Sequence, residues 1–202
     1  MVGMIKFHYG SNSFSSCTGL LVGPRHILSS AHCIENKQGL GQDFIFYPGK
    51  GLKHFYELYS GIKGIVSKKW KKDGQFNFSY DYGMIILENP VRDIREFVQM
   101  KSESIYLDKE ITLAGYPGDK IKGTLWQDKC YLDFSINNET TYTYKCDSYK
   151  GQSGSPILVK NDEGEYVVVA VHSRSSFRGY NAAARLSKKA IEEINGWIES
   201  YQ

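Results

Sequence analysis

The chain has 202 residues, enough to bury a sizeable core as one domain or as two small, closely packed ones. Hydrophobic residues make up 41% and charged residues 23%, and the net charge of +3 is too small to imply nucleic acid as a partner. No stretch approaches the ~20 apolar residues needed to span a bilayer, so no membrane partner is expected, and the N-terminal MVGMIKFHYG is too short and too polar at its far end for a signal peptide.

Taken in chain order, the predicted elements are short and β-like. Apolar or alternating runs recur at MIKFHY (4–9), TGLLVG (18–23), HILSSA (26–31), DFIFYP (43–48), GIKGIV (61–66) and YGMIIL (82–87). Between them, the basic run SKKWKK (67–72) reads as a solvated loop tip. The polar segment at 89–104 lacks a strand period and reads as a crossing between two halves, residues 1–95 and 96–202, of one domain. The runs then resume at EITLAGY (110–116), KCYLDFSI (129–136), TTYTYKC (140–146), SPILVK (155–160) and EYVVVAVHS (165–173). Most are rich in Val, Ile, Tyr and Phe, and VGPRH (22–26) and KNDEGEY (160–166) read as hairpin turns. Only the C-terminus has a helical period: Ser187 caps it, and Ile191, Ile194, Trp197 and Ile198 share one face. Many short strands joined by tight turns point to an all-β barrel or sandwich architecture.

Four cysteines, Cys17, Cys33, Cys130 and Cys146, fall as two pairs each sixteen residues apart. No zinc-ligand spacing accompanies them, and no oxygen-rich loop suggests calcium, so no metal and no cofactor is expected. Two disulfides, 17–33 and 130–146, fit an oxidising compartment, and a loop of about 15 residues closed this way contributes roughly 3 kcal/mol. Asn77 and Asn138 begin N-x-S/T tripeptides that permit glycosylation.

One stretch carries chemistry. In CDSYKGQSGSP (146–156), Ser153 stands between residues that let the backbone turn tightly. A serine that attacks an acyl group needs an imidazole to take its proton and a carboxylate to orient the imidazole. The N–H groups of Gly151 and Ser153 are candidates for an oxyanion hole. Taken alone, the stretch is equally a Gly/Ser turn. Among the five histidines, His32 ends a mostly apolar run beside Cys33, whereas His26 in a turn and His54 in a polar loop suit surface roles, and His8 suits a half-buried strand position. Asp81 precedes an apolar strand, where a carboxylate is costly unless hydrogen-bonded; a plain turn aspartate is the other reading.

Together CTGLLVGPRHILSSAHC, YDYGMIIL and GQSGSP resemble, in this order, the His, Asp and Ser motifs of chymotrypsin-like serine proteases. The resemblance implies two six-stranded antiparallel β-barrels with a C-terminal helix. His32 and Asp81 would come from the first barrel and Ser153 from the second, completing a triad, with Cys17–Cys33 as the disulfide beside the histidine and Ser173 supporting Asp81. It implies a secreted, monomeric endopeptidase acting on proteins or peptides. Gln152 stands where trypsin-type enzymes carry an Asp that pairs with a freed N-terminal amine, so that switch is not expected. The final helix and GQSGSP look more like the glutamyl endopeptidase (V8-like) branch. There His172 and Ser148 match the residues that bind a Glu side chain, with Arg174 and neighbouring Lys150 and Arg178 adding positive potential. Three alternatives remain beside this reading. Asp147, six before the serine, matches the residue that selects Arg or Lys in trypsin. His172 could instead be a satisfied core histidine. The last is a catalytically silent chain: a latent enzyme would show a flipped Lys150–Gly151 peptide, and the Ser153 of a binding-only pseudo-protease would not react with a serine probe.

Overall fold

The computed structural model describes every residue except 11–12, 50–56, 73–74, 103–108, 134–138 and 178. Six strands build the barrel of the first half: β1 (Val2–His8), β2 (Ser15–Gly23), β3 (His26–Ser29), β4 (Gln42–Pro48), β5 (Tyr59–Val66) and β6 (Gly83–Leu87). Their hydrogen-bonded order is β1-β2-β3-β6-β5-β4, and β4 pairs back onto β1, so the barrel is closed. Alternate residues point inward along each strand. Ile5 and Phe7, Phe44 and Phe46, and Ile85 and Leu87 therefore meet in one core with Leu21 and Ile27.

The other faces of β2, β3 and β6 are also apolar. Leu20, Val22, Leu28, Met84 and Ile86 pack against Leu158, Val168 and Val171 of the second half and against the C-terminal helix. Burial on both faces explains why YGMIIL reads as a continuous apolar run and not an alternating one.

The second half contains β7 (Ile111–Gly115), β8 (Trp126–Cys130), β9 (Thr141–Tyr144), β10 (Pro156–Lys160), β11 (Tyr166–Phe177) and β12 (Tyr180–Arg185), in the order β8-β7-β10-β11-β12-β9. The two end strands do not share a continuous ladder, in contrast to a fully paired barrel. Among the described residues they meet at the bridge between Leu132 and Tyr144, in hydrogen bonds from Asp133 N–H to Thr143 O (2.7 Å) and from Thr143 Oγ1 to Asp133 O (3.2 Å), and at the Cys130–Cys146 disulfide. The crossing segment also departs from expectation: Gln99–Met100 forms a short strand parallel to β11.

Helix α1 (Lys188–Ser200) is capped by the Ser187 side chain, which accepts from Ala190 N–H, and it buries Ile194 while packing Ile191, Trp197 and Ile198. Glu193 fastens it to the first barrel, accepting from Tyr82 Oη (2.7 Å), Ser67 Oγ (3.1 Å) and Lys68 N–H (3.0 Å). Within the basic run Trp70 is buried, donating Nε1–H to Glu35 O at 3.0 Å, while Lys68 and Lys69 stay exposed.

His26 corrects its sequence reading. It is buried, and its Nε2 lies 3.1 Å from the Tyr201 carbonyl just past α1; the turn that looked exposed is covered by the C-terminus. His8 is half-buried and pairs with Asp43 at 2.7 Å. Asn77 is exposed, with its side chain accepting from Ser79 N–H; His54 and Asn138 lie outside the described residues. Among the described residues, no helix is long and apolar enough to cross a membrane.

Candidate active site

Register between β3 and β6 brings the first two candidate side chains, His32 and Asp81, together. Ser29 pairs with Gly83, so the chain leaving β3 and the chain entering β6 run side by side. His32 sits on the single 3₁₀ turn Ala31–Cys33, tied to β2 by Cys17–Cys33. Asp81 follows the 3₁₀ turn Phe78–Tyr80 and is 0% exposed.

Asp81 accepts three hydrogen bonds. They come from His32 N–H (2.9 Å) and His32 Nδ1 (2.7 Å), and from Ser173 Oγ on β11 (2.5 Å). Tyr9 Oη donates to His32 O at 2.6 Å and holds the turn from the opposite side. An ionised carboxylate without water is tolerable with this many donors and a partner cation. Desolvation alone would depress the His32 pKa, but the Asp81 charge and the hydrogen bond together outweigh it and hold the imidazolium above its ordinary value.

Ser153 lies in the loop between β9 and β10, half-buried, and lines with His32 a groove of about 820 Å³. Among the described residues its hydroxyl makes no hydrogen bond to His32, a contact that in free enzymes often tightens only with substrate. The loop is bolted down on both sides. Thr18 N–H donates to Ser153 O (2.8 Å), Gly154 N–H to His172 O (2.9 Å), and His172 N–H to Ser155 O (2.8 Å). Gly151 and Gly154 have φ of +101° and +85°, and a Cβ at Gly154 would lie 2.2 Å from Thr18 O, so only glycine fits there.

The Lys150 carbonyl accepts from Gly118 N–H at 2.7 Å. A trans peptide points its C=O and N–H in opposite directions, so the Gly151 N–H turns away from Gly118. Among the described residues, neither it nor the Ser153 N–H donates to another protein group. Gln152 is 3% exposed, and its Oε1 accepts from Tyr149 N–H at 2.8 Å, bracing the loop from within.

His172, 1% exposed, lines the same groove with Ser148, Ser173, Arg174 and Lys150. Burial, with the charge of His32 adding to it, pushes the His172 pKa down to about 3. Arg174 stacks its guanidinium 4.4 Å over the Phe78 ring. Asp147 does not line the groove; it is exposed and faces a different hollow beside Asp128, whose carboxylate accepts from Asp147 N–H at 2.6 Å. Arg178 lies outside the described residues. The Ser175 side chain joins the groove wall, with Oγ 2.7 Å from Ser148 Oγ, and Asn181 stands behind it, its Oδ1 accepting from Ser148 at 2.9 Å. Both are distant in sequence from Ser148, and only the pairing of β11 with β12 unites them.

A family model for trypsin matches residues 3–191. The chain belongs to the trypsin family. This trypsin-family chain is 29% identical over 202 residues to a glutamyl endopeptidase of Bacillus licheniformis, a match covering 95% of this chain and 62% of that protein. It is 30% identical over 201 residues to a protein of Bacillus subtilis named extracellular metalloprotease, covering 96% and 61%. The chain thus spans about three-fifths of the length of these relatives. Its fold is that of a Glu endopeptidase solved in complex with MPD, with a TM-score of 0.81 at 22% identity over 95% of this chain and 88% of that one. The thermostable serine protease AL20 from an extremophilic microorganism gives 0.76 at 14% identity, over 100% and 97%.

Proposed function

We propose that this chain is a serine endopeptidase in which Ser153 attacks the scissile carbonyl, His32 takes the serine proton and returns it to the leaving amine, and Asp81 holds the imidazole tautomer. The observation that carries this reading is the buried Asp81 carboxylate, bonded at once to His32 Nδ1, His32 N–H and Ser173 Oγ. With its Nδ1 directed to Asp81, the imidazole keeps Nε2 for the groove that Ser153 lines. The Gly151 and Ser153 N–H groups serve as the oxyanion hole, where one donor is worth about 3 kcal/mol of barrier. The Lys150 carbonyl held by Gly118 argues for an assembled hole and against the latent alternative. The halves 1–95 and 96–202 act as one peptidase domain, since the groove needs side chains from both.

For the residue preceding the cleaved bond, we propose Glu, with Asp weaker. His172, Ser148 and Ser175 form a polar wall without a carboxylate, and Lys150 and Arg174 add positive potential. The Arg/Lys alternative needed Asp147 in this groove, and Asp147 faces elsewhere. A metal mechanism, suggested by one relative's name, does not fit these residues. Among the described residues, the one close set of ligand-type atoms is Cys17, His32 and Cys33, and both sulfurs are committed to a disulfide. Two disulfides and an extracellular relative support secretion, and a monomer acting on protein or peptide substrates is the form we expect.

Incubating the oxidised protein with a peptide library, with Ser153→Ala as control, tests the reading. Serine-dependent cuts after Glu are expected. Cuts after Arg or Lys would overturn the specificity, and no cleavage above the control would overturn the enzyme.

A further inference from the structure

Two buried side chains outside the triad stand directly behind the groove wall. The Tyr144 hydroxyl on β9, fully buried, hydrogen-bonds His172 Nδ1, and the two rings meet edge-on with centroids 6.0 Å apart. Asn181 on β12 donates from Nδ2 to the Cys146 carbonyl at 2.5 Å and accepts from Ser148 at Oδ1.

We propose that Tyr144 and Asn181 are positioning residues that fix the direction of the hydrogen bonds in the specificity pocket, so that His172 presents Nε2–H to the substrate while the Ser148 proton stays inside the protein.

Counting protons leads to this arrangement. A phenol has one proton, and a neutral imidazole carries one on either nitrogen. Among the described residues, His172 Nδ1 is the one hydrogen-bond partner of the Tyr144 hydroxyl. If Nδ1 carried the ring proton, the phenol proton would be buried without an acceptor, which is the costly outcome. The phenol therefore donates, Nδ1 accepts, and the ring proton resides on Nε2. Burial keeps Tyr144 protonated and His172 neutral, which agrees with these roles.

Asn181 is oriented in the same way. The Cys146 carbonyl only accepts, so it selects the amide nitrogen, and Oδ1 is left to face Ser148. Ser148 then gives its single proton to Asn181, and the 2.7 Å contact with Ser175 has Ser175 as donor. A carboxylate entering the groove meets Nε2–H already in place. It gains a second donor when the exposed Ser175 hydroxyl rotates from Ser148 towards it. Ser148 thus acts through Ser175, as the acceptor that holds that hydroxyl ready.

The kinetic part of this inference rests on the Glu reading of the groove; the spectroscopic part does not. Nitrogen NMR of protein carrying ¹⁵N-histidine should show His172 Nδ1 as an unprotonated, hydrogen-bond-accepting nitrogen and Nε2 as protonated. A protonated Nδ1 in the wild type overturns the proposal. Tyr144→Phe should show a mixture of tautomers. Tyr144→Phe and Asn181→Ala should each raise KM for a Glu peptide by about tenfold, with the loss falling in KM more than in kcat. Variants that melt far below the wild type are set aside, and the wild-type spectrum then decides alone. A wild type with no preference for Glu sinks the reading of the groove and leaves the tautomer result standing. A Glu-specific wild type whose folded variants keep their KM sinks this inference.

Discussion

Asp81 and His172 show how burial assigns opposite electrostatic roles to residues on neighbouring elements. Asp81 is enclosed by donors, and although burial lowers the His32 pKa, the Asp81 charge and hydrogen bond hold it above its ordinary 6.5. In the proposed mechanism His32 acts as a base only when neutral. The value of kcat/KM should therefore rise with pH through a midpoint above 6.5, and Asp81→Asn should lower that midpoint and cut kcat by on the order of 10⁴. A pH–rate profile of both proteins checks this, and an unshifted midpoint in the variant would remove Asp81 from its role. The stability sign is the reverse of the activity sign. A raised histidine pKa stabilises the fold below 6.5, and that contribution is lost as pH rises through the folded value. His172, pushed down to about 3, contributes stability above 6.5 that is lost as pH falls from 6.5 towards 3. Urea unfolding between pH 7 and 4 should consequently show a shallower acid decline in His172→Phe than in the wild type.

Among the elements, β2 does more than complete a barrel. Its Thr18 is fully buried and reaches across to the Ser153 loop of the other half. The backbone N–H donates to Ser153 O, the hydroxyl donates to Gly151 O at 2.9 Å, and the same oxygen accepts from Tyr116 N–H at 3.0 Å. The carbonyls of Gly151 and Ser153, the two residues whose N–H groups are proposed for the oxyanion hole, are thus held from the first barrel. Thr18→Val keeps the shape and removes the hydroxyl, so Gly151 O and Tyr116 N–H each lose their bond to it. A loss of about 1–3 kcal/mol of stability is expected, together with a lower kcat from a displaced oxyanion donor. Thermal melts and steady-state kinetics read both, and a wild-type kcat would mean that the backbone bonds hold the loop without the side chain.

At the scale of the whole molecule, the two halves differ in how they close. The first barrel closes by continuous strand pairing, whereas among the described residues the second is joined between β8 and β9 by the Leu132–Tyr144 bridge, the hydrogen bonds of Asp133 with Thr143, and the disulfide from Cys130 of β8 to Cys146 just past β9. Replacing both cysteines by alanine removes a cross-link over 16 residues and should cost about 3 kcal/mol, or roughly 6–12 °C in melting temperature for a chain of this size. Because the nucleophile loop begins at Cys146, activity should be lost at a lower temperature as well. A double variant that melts with the wild type would show that the end strands hold without the disulfide.

Strand positions, the C-terminal helix and the three motifs were legible in the chain alone, because each depends on local chemistry. Alternation over two residues buries one face, Ser187 caps a helix of period 3.6, and Gly151 and Gly154 permit a turn at positive φ. The long apolar runs such as YGMIIL were legible as strands, but not as strands buried on both faces, since that depends on what packs against the outside. His26 was misread for the same reason: a turn in sequence is covered in space by the C-terminal residues. Tertiary structure alone decided which of His172 and Asp147 faces the groove, because adjacent positions in a loop or strand point to opposite sides, and counting from Ser153 does not say which. It also decided the partners of Ser148, Ser175 and Asn181, which lie 27 and 33 residues away in sequence and meet only through strand pairing. Short-range patterns determine which elements form. Hydrogen-bond direction and burial, which set the chemistry of a site, exist only once those elements have packed.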